Sequence, residues 1–272
     1  MNLNQTRQWM QHTARRGQRH LRRTVLSFAV TIGLWWALVR VFNLPPLILP
    51  TPAQVALRGW QAIQDGTLLH HTWITLQEVL SGLALGAGTA TLLGYLLAKS
   101  RTLERVLAPY LVASQSIPVV AIAPLLIIWF GTGLLAKALI CALIVFFPVL
   151  VNTVVGLRSV PEELHDLLHS LDATPWQIAR YLEIPAALPV FFGGLRIGAT
   201  LSVIGAVVGE FVAADSGLGF LINMARGRYD TAMVFVAVFA LIALALALYG
   251  SVLALERRFL AWQAPAARTV RR

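Results

Sequence analysis

Three apolar windows of this chain, each of twenty residues or more, carry no charged side chain over their whole span: Val106–Phe130, Ala138–Leu157 and Thr231–Leu255. One helix needs about 20 apolar residues to cross the hydrocarbon core of a bilayer. Three more windows nearly qualify: Val25–Phe42, Trp73–Ala98 and Ala186–Gly209, the last two carrying only Glu78 and Arg196 as charges. Composition agrees, since 12% of the residues are charged, about half of what a soluble domain carries. Mean hydropathy is +0.71. The expectation is an all-α, polytopic membrane protein with six transmembrane helices.

The net charge of +10 could suggest nucleic acid, but a chain of this kind offers no basic face to grip a duplex. Basic residues instead set topology. With the N-terminus inside, the inner segments 1–24, 99–105, 158–185 and 256–272 hold sixteen of the twenty-two Lys and Arg. Both termini are therefore expected in the cytoplasm, in the inner membrane. Met1–Thr24 carries six Arg and no acid, and no small-residue cleavage site follows Val25–Phe42, so that run is expected to be an uncleaved first span. The single Cys141 excludes an intrachain disulfide and a cysteine metal cluster.

The segment after the first span, TPAQVALRGWQAIQDG, reads as a short outer helix. Thr51 and Gln54 form a capping box, Pro52 takes the first helical position and Gly66 stops it. His70 and His71 follow as polar loop residues without a third ligand nearby. In the third span, Pro118 and Pro124 each remove a backbone hydrogen bond, which gives either a packing kink or a segment lining a path. Pro148 and Asn152 place the fourth span inside the bundle. Gly82 and Gly86 allow close helix packing. Glu78 and Glu210 fall near outer span ends and Arg196 in an inner half. Charges at such depth are functional candidates, weighed against snorkelling for Glu78, a structural contact for Arg196 and an outer-surface role for Glu210.

Ser159–Pro189 is too polar to span, with five of the chain's twelve acidic residues. Ser159 and Glu162 read as a capping box ahead of a helix with a stripe at Leu164, Leu167, Leu168 and Leu171. Thr174, Pro175 and Gln177 start a second helix after a tight turn at Asp172–Ala173, and Ile184–Pro185 ends it. Asp166-Leu167-Leu168, Asp172 and Leu182-x-Ile184-Pro185 have the spacing of the motif Glu-Ala-Ala-x3-Gly-x9-Ile-x-Leu-Pro. In this the chain resembles the permease subunits of bacterial ATP-binding-cassette importers. Asp stands for Glu, Leu for both Ala and Asp172 for Gly. The segments ILPTPAQVALRGW, SQSIPVVAIAPLLIIWFGTG, FFPVLVNTVVGL and PAALPVFFGGLRIGA resemble the subgroup importing nitrate, sulfonates, taurine and vitamin precursors. GEF, DSGLGFLI and DT, within Gly209–Thr231, look closer to its pyrimidine-precursor and riboflavin branch. The likeness runs from Ile48 to Arg258.

The resemblance implies a type I importer permease fold with cytoplasmic coupling helices at 160–185. The permease domain is expected over 25–258, between basic tails at 1–24 and 259–272. It also implies a partner ATPase subunit, an extracytoplasmic solute-binding protein and a homodimer of permeases. Glu162, Asp166, Leu168, Asp172, Ala173, Trp176 and Pro185 would meet the ATPase, and Pro118, Pro124, Arg196 and Glu210 would line the path. No cofactor and no catalytic residue are expected: neither Lys99 nor Lys137 follows the glycine run of a phosphate-binding loop, so ATP belongs to the partner. An ion-coupled secondary transporter is the alternative, which would need titratable groups near the midplane. An intramembrane enzyme finds no Ser-His or paired-Asp arrangement at depth.

Overall fold

Small residues decide how the long apolar helices meet. A computed structural model describes residues 26–27 and 29–263. Its centre is a seam of three helices, α3 (Thr67–Lys99), α6 (Leu134–Arg158) and α9 (Ile184–Val212). A Cβ placed on Gly86 of α3 would lie 2.7 Å from the Ala142 carbonyl oxygen and 2.9 Å from its Cα. One on Gly205 of α9 would lie 2.8 Å from Cys141 Cα, and one on Gly194 would lie 2.8 Å from the Pro148 carbonyl oxygen. Backbones therefore touch directly, which is how helices associate where lipid tails compete with apolar side chains. Cys141 sits fully buried at the crossing. The interior location expected for α6 holds: Asn152 Nδ2 caps the carbonyl of Pro148, 2.8 Å away, in the turn beside the proline.

Around this seam lie α1 (Ala29–Val41), α2 (Pro52–Gln64), α4 (Arg101–Gln115), α5 (Val119–Phe130), α10 (Leu218–Gly227) and α11 (Thr231–Phe259). Trp35 of α1 stacks on Phe235 of α11 and donates to the Pro50 carbonyl at 3.1 Å. The capping box of α2 forms as expected, and Gly66 makes the turn into α3 with φ +78°. His70 and His71 are not loop residues; both belong to the first turn of α3.

The spans differ from the expectation in number and shape. Among the described residues four helices are long and apolar enough to cross a membrane, or five if a bent pair counts as one. The bent pair is the expected third span. It breaks at Ser116–Pro118 into α4 and α5, which meet at 94°. Pro118 cannot donate a backbone bond and stands as the cap of α5, so the proline breaks the helix instead of kinking it. Within the described residues the first expected span gives only the short apolar α1. The basic tail at 1–24, and residues 264–272 of the tail expected over 259–272, lie outside the described residues.

The polar insert also departs from its expected outline. Helix α7 (Glu162–Ser170) starts at Pro161 without a side-chain cap. Ser159 instead ends α6, its hydroxyl donating back to the Gly156 carbonyl at 2.8 Å. The second helix starts as expected, with the Thr174–Gln177 box. It does not stop at Ile184–Pro185. From α8 (Pro175–Ile178) the chain passes through a wide i→i+5 turn at Ala179–Glu183 straight into α9. Pro185 is tolerated because it falls where the wide turn already disrupts the ladder.

Candidate functional site

At one end of the bundle α7 and α8 project beyond the spans. Their junction is tight: Asp172 has φ +53°, and Ala173 N donates to the Leu168 carbonyl at 3.0 Å. This is the left-handed turn that a glycine supplies at lowest cost, and Asp is among the few other residues that tolerate it. The stiff turn and the Thr174 box hold two short helices in fixed relation.

Helix α7 buries no residue at all. Leu164, Leu167, Leu171 and Trp176 are exposed, Leu171 and Trp176 to 67%. Glu162, Glu163, Asp166 and Asp172 are exposed beside them. Lipid would not accept four carboxyls among these side chains. An apolar patch rimmed by charge is what a protein interface presents. Of the expected coupling residues, Glu162, Asp166, Asp172 and Trp176 are exposed here, and Leu168, Ala173 and Pro185 are half-buried.

Behind α7 lies a groove of about 570 Å³ whose lining includes Lys99, Arg158, His165, Asp166 and Glu183. Glu183, at the close of the wide turn, is buried. Its Oε1 meets Lys99 at the end of α3, and also His165 Nε2 on α7 at 3.1 Å. Arg158, at the end of α6, donates twice to the Glu104 carboxylate of α4, both at 2.7 Å, and once to the Leu97 carbonyl of α3. At this end α3, α4, α6, α7 and the wide turn are thus each joined to a neighbour by a charged contact.

The opposite end holds a second cluster. Lys137 of α6 donates to Glu78 of α3 at 2.7 Å, with both side chains buried. Glu210 of α9 is 1% exposed; it accepts from Thr75 Oγ1 at 2.6 Å and from the Gly219 amide. Thr75 Oγ1 accepts from Leu218 N at 2.8 Å, and His71 Nδ1 from Gly217 N at 3.0 Å. Three successive amides at the start of α10, which have no partner within a helix, are satisfied by α3 and α9. Glu210 therefore faces α10 and does not face an opening. Arg196 points toward α11, 3.3 Å from Glu256 and over the Tyr249 ring. Pro118 and Pro124 are exposed on α5.

Sequence reasoning missed the partners. Lys137 entered as a lysine outside any phosphate-binding loop, and Glu183 as one of five acids in the polar segment. The available signal for the first pair was that Glu78 and Lys137 are opposite charges near the same end of their two spans.

Residues 90–261 match the family described as binding-protein-dependent transport system inner membrane component. The chain is 52% identical to a riboflavin transport system permease protein, RibX, of Chloroflexus aurantiacus, over 88% of this chain and 91% of that one. It is 35% identical to a formylaminopyrimidine transport permease protein, ThiX, of Halalkalibacterium halodurans, over 88% and 94%. Among solved structures it is similar to the MetNI methionine ABC transporter in an inward-facing conformation, with a TM-score of 0.61 at 20% identity over 70% of this chain and 94% of that one. That likeness shows the type I importer fold. The chain belongs to the binding-protein-dependent transport system inner membrane components, the permease subunits of ABC transporters.

Proposed function

We propose that this permease passes riboflavin, or a pyrimidine-containing relative of it, into the cell, and that α7 and α8 are the surface through which a separate ATPase subunit drives it. The observation that carries the coupling assignment is the exposed apolar and acidic face of α7–α8, built on a capped and tightly turned element that touches no lipid-facing helix through a buried residue of α7. In this reading Asp166 and Trp176 contact the ATPase, supported by Glu162, Leu168, Asp172, Ala173 and Pro185. The α7 end and both termini lie in the cytoplasm. An outer binding protein delivers solute at the α10 end. Two copies of the chain form the path between them, with Pro118 and Pro124 of the exposed α5 lining it. Arg196 and Glu210 then hold the walls rather than touch solute. The chain itself performs no hydrolysis. Identity with the riboflavin permease supports the solute class.

Two experiments test this. Asp166→Lys should abolish co-purification of the ATPase while the permease still inserts; retained binding sinks the docking assignment. Labelled riboflavin should be taken up by cells expressing the complete importer, and selective uptake of taurine or nitrate instead would reassign the solute.

A further inference from the structure

Glu183 occupies a place that the docking face does not explain. Its side chain is 4% exposed, yet its partners are not: Lys99 is 45% exposed and His165 29%. Oε1 takes both of them, and Oε2 has no hydrogen-bond partner among the described residues, although it borders the groove behind α7. Burying a carboxylate with one oxygen unsatisfied costs stability, and an apolar residue there would avoid that cost. It closes the wide turn, in which Ala179 and Glu183 are buried and Arg180 and Tyr181 between them are exposed. Such turns concentrate at functional sites.

The connections of α7 narrow the role. With no buried residue of its own, α7 reaches the spans through the contact of His165. His165 leads to Glu183, the ninth residue of the 38-residue helical run Pro175–Val212, and Glu183 leads to Lys99 at the end of the 33-residue α3. Three elements that must move together for a push on α7 to reach the far end of the bundle therefore meet at one carboxylate oxygen.

We propose that Glu183 is the transmission residue of this permease, a positioning residue that ties α7 to α3 and α9 so that displacement of the docking element moves both spans. This rests on the reading of α7–α8 as the ATPase-docking element. Glu183 touches neither ATPase nor solute, so its loss separates binding from movement. The test uses the assembled importer in lipid nanodiscs, with spin labels at Thr102→Cys at the start of α4 and Gln61→Cys on α2, both exposed; the native Cys141 is buried and does not label. ATP with vanadate shifts the label distances in the parent. Glu183→Gln keeps ATPase binding and ATP hydrolysis, but the shifted population falls by about tenfold, the scale of a residue on an energetic link. Lys99→Met and His165→Gln, on partly exposed partners, lower it separately, which covers the case in which the Glu183 variant folds poorly. Unchanged shifts in Lys99→Met and His165→Gln overturn the proposal. So does a Glu183→Gln chain that folds but loses ATPase binding, because Glu183 would then belong to the docking face. Asp166→Lys distinguishes the two levels: a chain that keeps ATPase binding removes the docking reading, whatever Glu183 does.

Discussion

The two ends of this bundle are built from the same material and behave as opposites. Each sets buried acid against a lysine, with a histidine in the same cluster. At the α10 end, Glu78, Lys137 and Glu210 are all enclosed, and the amides of Gly217, Leu218 and Gly219 are each taken by a side chain from α3 or α9. Glu78 Oε2 lacks a hydrogen-bond partner among the described residues, but it is shut in against the Glu210 carboxyl. At the α7 end, Glu183 alone is enclosed, its partners reach solvent and a groove opens behind it. Solvent access separates the two. Polar contacts sealed from water are costly to break and fix one arrangement, whereas contacts at a wet edge can be exchanged for water at little cost. One end is a lock and the other an articulation.

Breaking that contrast should begin where the effect is largest. Lys137→Met leaves Glu78 buried and unpaired, and should lower stability in detergent by about 3–5 kcal/mol, with most of it recovered when Glu78→Gln is added. Thermal unfolding of the three variants measures this; no loss in the single variant would mean the α10 end is not a lock. Gly217→Ala comes next. Gly217 has φ +110°, and an added Cβ would run into the Glu210 carboxyl, so about 2 kcal/mol should be lost at the same end. At the α7 end the pattern reverses. Trp176→Ala should change stability by less than about 0.5 kcal/mol, yet weaken ATPase binding by more than about tenfold, as for an aromatic anchor. Equal binding by the variant would place the interface elsewhere. Thr174→Ala removes the box that sets α8 and should cost about 1 kcal/mol by the same unfolding measurement. Smallest is Asp172→Gly, which relieves a positive φ and should be neutral or stabilising by less than about 1 kcal/mol. A strongly destabilised Gly variant would mean that Asp172 makes a contact of its own.

Much of the fold was legible because it is written in local chemistry. The Thr51 and Thr174 boxes, the turn at Asp172 and the close approach at Gly82 and Gly86 each follow from what a few adjacent residues can do. Errors arose where two local signals competed. Ser159 offers a cap to α7, but the last turn of α6 reaches its hydroxyl first. Ile184–Pro185 signals an end, but the wide turn absorbs the proline and the helix continues. Pro118 suggested a kink in one span and produced two helices at 94°. The helix pair α7–α8 with its turn at Asp172 was legible as a motif spacing. The charged networks were not, because pairs such as Glu78–Lys137 and Lys99–Glu183 join residues 59 and 84 apart in the chain. No local pattern specifies such a meeting; only the glycine seam that brings α3, α6 and α9 together does.

The wide turn at Ala179–Glu183 makes residue count in this region an angular coordinate. Each residue of an α-helix turns the chain by about 100°. Removing one residue between Ala179 and Glu183 would restore ordinary helical winding and keep α8 near its present direction, because the wide turn is what accommodates one extra residue. Removing one residue from α9 beyond it would instead swing α8, with everything attached to it, by about 100° around the helix axis, and the exposed face of α7–α8 would point away from its present direction with every side chain on it intact. Substitutions here change chemistry one residue at a time, but a single-residue deletion in α9 changes the phase between the part of the protein that is pushed and the part that crosses the membrane.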